Sequence, residues 1–456
     1  MRPMPTPRRG RGERAPGPAS RVPGRTLLAF TRDPLSFLTQ LAQRHGDVAA
    51  FRAGFRDVYL LSHPEFVHKV LVAEPDDFPS DQGLGMAKVL LGEGLLTMSG
   101  EKYRRHRLLI QPSFQRDRVE AYAEVMVRHA MAREGRWQDG AEVDLGREMA
   151  SIALAIVAEA LLGVRVSEEQ IAEVTESLDD AMATLTMARI PVHRVLARLP
   201  IPSSLKLHRA RGRIDSVVHG IISSRRTARP GDDLLSQLLR GQEKDGSVGM
   251  PGTELRDEVT TLLLTGHETV ATALTWMFYL LGRYRDEEAR LHDELDLVLG
   301  GRPPELADLE KLPCVERALL ESMRLYPPAW TVARGVARPF MARGYRVPSG
   351  SVVLLSQWVM HRHPAWFVDP LRFDPGRWSP PRRGEIPRLA YFPFGAGPRV
   401  CIGETFAWNE AVLVAATLAR RWRFELVQDS EVDPVARLTL RPSRRIPVIT
   451  RLRTGP

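Results

Sequence analysis

Apolar residues recur at three- and four-residue intervals over residues 119–133, 148–162 and 171–188, the spacing that lays an apolar stripe along a helix. Shorter runs of strand character interrupt this pattern: VAAFRAG and DVYLLS between residues 48 and 62, residues 345–355, and a stretch near the C-terminus. A helix leads from Asp33 into the first pair, and His63-Pro64-Glu65 opens another by its turn chemistry. The expectation is a mainly α protein with a minor β part. The longest pattern begins after Pro251-Gly252 and runs to about Tyr284, with Leu255, Val259, Leu262, Gly266, Val270, Ala273, Met277 and Leu281 on one stripe. About 30 residues at about 1.5 Å each make roughly 45 Å of helix, so its middle must cross the core. That middle holds TGHET, residues 265–269, which places a glycine, a carboxylate and a hydroxyl where a core helix ordinarily has leucine.

A chain of 456 residues with 43% hydrophobic content can form one large core or several modest ones. No internal repeat stands out, and the linker-like stretches inside are 228–233 and the Gly/Asp/Lys-rich 241–252. The opening MRPMPTPRRGRGERAPGPAS has almost nothing apolar to bury, so residues 1–25 read as a disordered tail and 26–456 as the folded domain. Arg8-Arg9 is not followed by the apolar stretch an export signal needs. No segment reaches the roughly 18 apolar residues of a membrane span. A cytoplasmic monomer without a membrane anchor is expected. The formal charge of +9 would suit an anionic partner, but the basic residues are spread along the chain with no zinc-finger or RNA-binding signature, so nucleic acid is not expected.

Only two cysteines occur, Cys314 and Cys401, which excludes a disulfide framework and fits a reducing compartment. Cys401 lies in FPFGAGPRVCIGETFA, residues 392–407, a glycine-rich loop that runs into a helix. Glycines at 395, 397 and 403 let backbone amides approach the sulfur, and the following helix adds unpaired N–H groups and a positive dipole end. Both favour thiolate over thiol. The residues alone leave metal ligation and nucleophilic chemistry open, although a cysteine nucleophile would want a histidine base, and none flanks Cys401.

With its spacing the loop reads F-x-x-G-x-R-x-C-x-G, at Phe394, Gly397, Arg399, Cys401 and Gly403, and this resembles the haem-binding loop of the cytochrome P-450 family. Glu321-x-x-Arg324 matches that family's E-x-x-R helix, and Arg377 in Pro375-Gly376-Arg377-Trp378 its partner arginine; Gly376 stands where the family usually has glutamate. TGHET resembles [AG]-G-x-[DE]-T-[TS], with Thr265 and Val270 departing at the two ends. The resemblance covers roughly residues 26 to 456. It implies a single triangular, mainly helical domain that sandwiches haem b between the long helix and the helix after Cys401.

The same resemblance assigns roles. Cys401 would be the iron ligand, whose electron density promotes O–O cleavage. Arg107, Arg334 and Arg399 would face the haem propionates, with Tyr103 in place of the family's usual tryptophan. Gly266 would leave room for dioxygen, Thr269 would hydrogen-bond at the oxygen-activating face and Glu268 would relay protons. A mid-helix threonine by itself would bond back to its own helix, and His267 is expected to be satisfied or outward-facing. Residues 84–95, 182–190 and 329–332 with Leu438 would wall an apolar substrate pocket, suited to a terpenoid, fatty acid or polyketide. A non-catalytic haem protein or a peroxide-driven oxygenase would have no use for Glu268-Thr269. No flavin, iron–sulfur or nicotinamide segment is legible, and the one G-x-G-x-x-A string, Gly10 to Ala15, follows no strand. Electrons from NAD(P)H would therefore arrive through a ferredoxin reductase and an acidic ferredoxin, docking near Lys102, Arg104 and Arg105.

Overall fold

The computed structural model describes residues 14–18, 24–80, 87–186, 202–229, 231–240, 250, 252–428 and 431–453. Two helices, α1 (Arg25–Arg32) and α2 (Pro34–His45), precede the hairpin of β1 (Val48–Ala53) and β2 (Arg56–Leu61). Asp33 separates the helices by capping the second: its carboxylate accepts from Ser36 N at 3.0 Å, and Pro34 opens the first turn with no N–H to satisfy. Then come α3 (Gly100–Ile110), α4 (Arg116–Glu134), β3 (Glu142–Asp144), α5 (Leu145–Ala160), α6 (Glu168–Thr186), α7 (Pro202–Thr227), α8 (Gly252–Arg283), α9 (Arg285–Leu299) and α10 (Pro313–Leu325). The helices expected over 119–133, 148–162 and 171–188 are α4, α5 and α6, with residues 187 and 188 outside the described residues.

The second half adds β4 (Val332–Gly335), β5 (Phe340–Ala342), β6 (Tyr345–Val347) and β7 (Val352–Leu355), then α11 (Glu404–Ala419) and β8 (Trp422–Leu426). Three short strands close the chain: β9 (Pro434–Ala436), β10 (Leu440–Pro442) and β11 (Pro447–Leu452). The strand expected over 345–355 is two strands, because Pro348 offers no N–H and Gly350 turns left-handed at φ 81°. The main sheet has the order β1-β2-β7-β4, with β2 and β7 parallel and the other pairs antiparallel. A second sheet has the order β3-β11-β8, and β5-β6 and β9-β10 form two-stranded ribbons.

The 32 residues of α8 make a rod about 48 Å long. From Glu258 to Gly282 every residue of it is buried except Thr265, Gly266 and Thr269. A helix buried all round belongs to the centre of a large core, and the interruption lies at the motif. The helix α5 packs tightly here: a Cβ added to Gly266 would meet Val157 Cγ2 at 3.0 Å.

The expected tail needs a correction over residues 14–18. Ala50 N donates to Pro16 O at 2.8 Å, Ala15 is 6% exposed, and Arg14 pairs with Asp57 at 2.6 Å. Composition suggested disorder because so little there is apolar. What holds the segment is a close backbone approach, since a Cβ on Gly17 would come within 1.7 Å of Ala50 O. Among the described residues no helix is long and apolar enough to cross a membrane.

Candidate active site

The cysteine loop is closed by its own backbone: Val400 N donates to Gly397 O and Cys401 N to Phe394 O, each at 3.0 Å. Gly395 and Gly397 have φ of 76° and 72°, and a Cβ on Gly397 would lie 1.7 Å from Leu71 O, so only glycine lets the loop pass there. Of the three glycines expected to bring amides to the sulfur, Gly403 does so, donating its N–H to Cys401 Sγ. The Cys401 side chain presents surface yet is enclosed by protein, as on the wall of an interior cleft. Burial prevails and pushes its thiol up, against the expectation of a favoured thiolate, and the Gly403 amide and the Arg107 charge offset only part of that rise. Cys314 is partly buried, and burial with the Glu294 carboxylate raises its thiol to about 11.

Beside the loop stand three guanidiniums with no carboxylate partner among the described residues. Arg399 donates to Ser80 Oγ and, at 2.7 Å, to Met98 O, and lies 3.9 Å over the Tyr103 ring. Arg107 donates to Tyr103 Oη and Val400 O, each at 3.0 Å. Arg334, on β4, donates among the described residues only to Ala333 O, and burial together with the charge of Arg399 lowers it to about 10. Tyr103 donates its hydroxyl proton to Pro398 O at 3.2 Å, so it positions the loop and Arg107 rather than presenting a free donor. The helix α3 that carries Tyr103 and Arg107 is seated on α8 by buried His106, which faces Glu258 at 2.6 Å and Glu254 at 3.2 Å.

On α8, Thr265, Gly266 and Thr269 supply the accessible strip, but their groups point differently from expectation. Gly266 would direct a side chain at Val157, so its smallness serves the packing of α5 rather than space in the cleft. Thr269 bonds back to Thr265 O at 2.9 Å and Thr265 to Thr261 O at 2.6 Å. Glu268 is 5% exposed and accepts from Thr439 Oγ1 at 2.6 Å and from two nitrogens of Arg441. Burial alone would raise this carboxyl, but Arg441 outweighs it and holds Glu268 below its usual range. His267 is not outward-facing: it is fully buried, with Nδ1 on Leu263 O at 2.6 Å and Nε2 without a partner, and burial lowers its pKa.

Glu321 and Arg324, both wholly buried, pair through two bonds of 2.8 and 2.9 Å, and Arg377 adds a third contact at 3.3 Å. Trp378 Nε1 donates to the same carboxylate at 2.9 Å, and Arg324 also holds the carbonyls of His361 and Pro370. The missing glutamate at Gly376 leaves this cluster intact. From its centre the order passes to the cysteine loop, because His361 Nε2 accepts from Phe392 N at 3.0 Å.

Sequence reasoning missed Arg441 and Thr439, the groups that fix Glu268. They lie more than 170 residues away in the chain, and their one signal was the apolar-basic alternation of LTLRPSRRIPV. It also missed Ser80 and the Met98 carbonyl, which aim Arg399. Of the expected pocket walls, residues 84–86 and 187–190 lie outside the described residues; Leu95 and Met182 are buried, Ala329 is exposed and Leu438 is half-buried.

A haem fits this donor set: an accessible thiol on a glycine-turned loop, three guanidiniums without a carboxylate partner among the described residues for two carboxylates, and an accessible strip on an otherwise buried helix. These features define a haem-thiolate monooxygenase. Residues 16–448 match the family described as Cytochrome P450. The chain is 38% identical over 424 residues to cyclooctatin synthase of Streptomyces melanosporofaciens, covering 92% of each chain. It is 37% identical over 419 residues to pentalenene oxygenase of Streptomyces avermitilis, covering 91% of this chain and 92% of the relative. The crystal structure of the cytochrome P450DA heme domain shares its fold, with a TM-score of 0.85 at 24% identity over 97% of this chain and 99% of that one. The chain belongs to the cytochrome P450 family. It uses haem b and electrons from NAD(P)H delivered by redox partners to oxidise an apolar small molecule with dioxygen.

Proposed function

We propose that the chain oxygenates a cyclic terpenoid, either the hydrocarbon or an alcohol made from it. The observation that carries this is the set of relatives: besides those above, cyclooctat-9-en-7-ol 5-monooxygenase of Streptomyces melanosporofaciens is 36% identical over 404 residues, 88% of this chain and 87% of the relative. The expected pocket walls, rich in Leu, Met, Ala and Val, suit such a substrate.

When bound, the haem supplies an oxygen-activating iron whose O–O cleavage is promoted by thiolate donation. The chain does the rest. Cys401 would ligate the iron, and the Gly403 amide would steady the sulfur's charge. Arg107, Arg334 and Arg399 would take the two propionates, which would relieve the mutual repulsion of three clustered cations. Thr269 donates its hydroxyl proton at the reacting face once it leaves the Thr265 carbonyl, and Glu268 resupplies protons when Arg441 releases it. A ferredoxin and its reductase supply the electrons to a cytoplasmic monomer whose folded domain takes in residues 14–18 as well as the expected 26–456. The substrate class is tested by titrating ferric protein with cyclic terpenes, fatty acids and polyketides and following the Soret shift. The tightest shift and a product with one added oxygen are expected from a terpene; a response confined to fatty acids or polyketides would overturn the assignment.

A further inference from the structure

Two consecutive carboxylates near the start of α8 are committed to the backbone of one loop. Asp257 Oδ2 accepts from Glu93 N at 2.7 Å, and Glu258 Oε2 accepts from Leu95 N at 3.1 Å. The loop is shaped to reach them. Gly92 has φ 65°, and a Cβ on it would lie 2.2 Å from the Asp257 carboxylate; a Cβ on Gly94 would lie 2.0 Å from Thr261 Oγ1 and 2.8 Å from Asp257 O. Only glycine at both positions lets this backbone lie against the helix. Thr97 closes the turn, its hydroxyl donating to Gly92 O at 2.7 Å.

Both carboxylates are backed from behind. Glu258, wholly buried, faces His106 of α3 at 2.6 Å through its other oxygen. Asp257 pairs through Oδ1 with Arg256 at 2.6 Å, and Arg256 also reaches Asp215 of α7. The Glu93 side chain turns instead to Lys102 of α3 at 3.0 Å. One loop is thus bound to α8 by its main chain and to α3 by a side chain. Hydrogen bonds to ionised acceptors are roughly twice as strong as neutral ones. The oxygenase chemistry uses none of these contacts.

The position of the loop gives the reason for them. Thr261 lies one turn before Thr265, and its hydroxyl, buried and without a hydrogen-bond partner among the described residues, lies over Gly94. The loop therefore closes the N-terminal end of the accessible strip on α8, and Leu95, 8% exposed, belongs to it. An apolar substrate offers few hydrogen bonds to orient it, so the shape of the wall decides how it lies. A wall that yields loses that control.

We propose that Asp257 and Glu258 are positioning residues that latch residues 92–95 against α8 and so set which part of an apolar substrate the pocket presents for oxidation. This deepens the proposed function: it rests on the apolar-substrate reading but not on the substrate being a terpenoid.

The test combines amide hydrogen exchange of the haem-loaded full chain with two iron-binding probes of different girth, 4-phenylimidazole and clotrimazole, titrated by the Soret shift. Asp257→Ala should speed exchange at residues 92–95 by about tenfold or more, and clotrimazole binding should tighten relative to 4-phenylimidazole by about threefold or more. Asp257→Asn keeps an oxygen acceptor and should restore most of the protection. Gly94→Ala lifts the loop from its own side with both carboxylates intact and should reproduce the change in probe selectivity; an intact ferrous-carbonyl spectrum shows that each variant is folded. Unchanged exchange in Asp257→Ala overturns the latch, and freed amides with unchanged probe selectivity overturn its hold on the pocket. Protection lost equally in Asp257→Asn would assign the effect to the Arg256 ion pair and overturn the proposal as well. Neither probe is a terpenoid, so these outcomes stand apart from the assignment of substrate class.

Discussion

Arg441 grips both carboxylate oxygens of Glu268, its Nε lying 2.5 Å from Oε1, and its third nitrogen reaches Asp179 on α6. One arginine from the C-terminal ribbon therefore ties the acid of the central helix to the helix expected to wall the substrate pocket. The consequence is electrostatic. A carboxylate this deeply buried would be neutral if alone, and it is the arginine that keeps it charged.

Arg441→Ala should therefore cost roughly 3–5 kcal/mol of stability, because it strands a buried charge. Adding Glu268→Gln should recover part of that loss by removing the charge that was stranded. Denaturant unfolding of the two variants checks this; a double variant no more stable than Arg441→Ala would show that the arginine acts through packing alone.

Replacing Cys401 by alanine should abolish the far-red-shifted Soret band of the ferrous-carbonyl form, while Cys314→Ala keeps it. Cys314 lies beside the Glu294 carboxylate, which with burial raises its thiol to about 11, whereas Cys401 has the Arg107 charge and the Gly403 amide near its sulfur. A histidine-type carbonyl spectrum in fresh wild type would contradict thiolate ligation.

The long helix and the cysteine loop were legible because each carries its signal locally, one in a 3.6-residue period and the other in ten consecutive positions. What could not be read is direction and distant pairing. That Gly266 faces Val157 rather than the cleft depends on where α5 crosses α8, which no local pattern encodes. Arg14 and Gly17 looked like tail residues on composition, and only the partner strand shows why they are held. The Glu321–Arg324 pair was legible as spacing, but Trp378 Nε1 and the Asp374 amide, which complete its hydrogen bonding, were not.

Thr269→Ala should bind substrate and reduce oxygen while diverting much of the NAD(P)H consumed to peroxide. Its hydroxyl is held by a single back-bond to Thr265 O, so the helix does not depend on it. Glu268→Gln should slow turnover more than binding. Equal ratios of product to NAD(P)H in wild type and Thr269→Ala would remove the threonine from proton delivery.

Acid should destabilise the fold through histidines held neutral. Burial and then the Arg453 charge lower His292 to about 4, and burial with Arg324 and Arg362 holds His361 well below 6.5. The unfolded chain takes up protons on these rings below about pH 6.5, where the folded chain does not, so stability is full above that pH and falls as pH drops toward 4. His292→Gln should flatten the melting temperature against pH between about 6.5 and 4.5, and unchanged slopes would exclude His292 as a contributor. Protonating His361 would also remove the acceptor for Phe392 N, so acid should degrade the carbonyl spectrum before the helices melt.

Arg104 and Arg105 on α3 remain the residues to test for electron delivery, although the structure pairs both. Arg104 meets Glu101 and Asp76, and Arg105 meets Glu254; both arginines are 60% exposed, and Glu101 and Asp76 are 84% and 89% exposed. Lys102, bound to Glu93 and Glu254 at 3.0 Å each, is more firmly committed. Exposed pairs such as those of Arg104 are worth about 0–1 kcal/mol, so an acidic ferredoxin can displace its partners, while Arg105 shares the 18% exposed Glu254 with Lys102 and His106. Leu108, 71% exposed on the same helix, offers an apolar contact beside them. Reversing Arg104 and Arg105 to glutamate should slow ferredoxin-driven reduction and flatten its salt dependence, with dithionite reduction and the carbonyl spectrum unchanged. Raising ionic strength should slow the wild type, since exposed charges are screened beyond roughly 8–10 Å at physiological salt. Stopped-flow reduction rates over a salt series decide the matter, and rates indifferent to both salt and charge reversal would place the electron donor on another face.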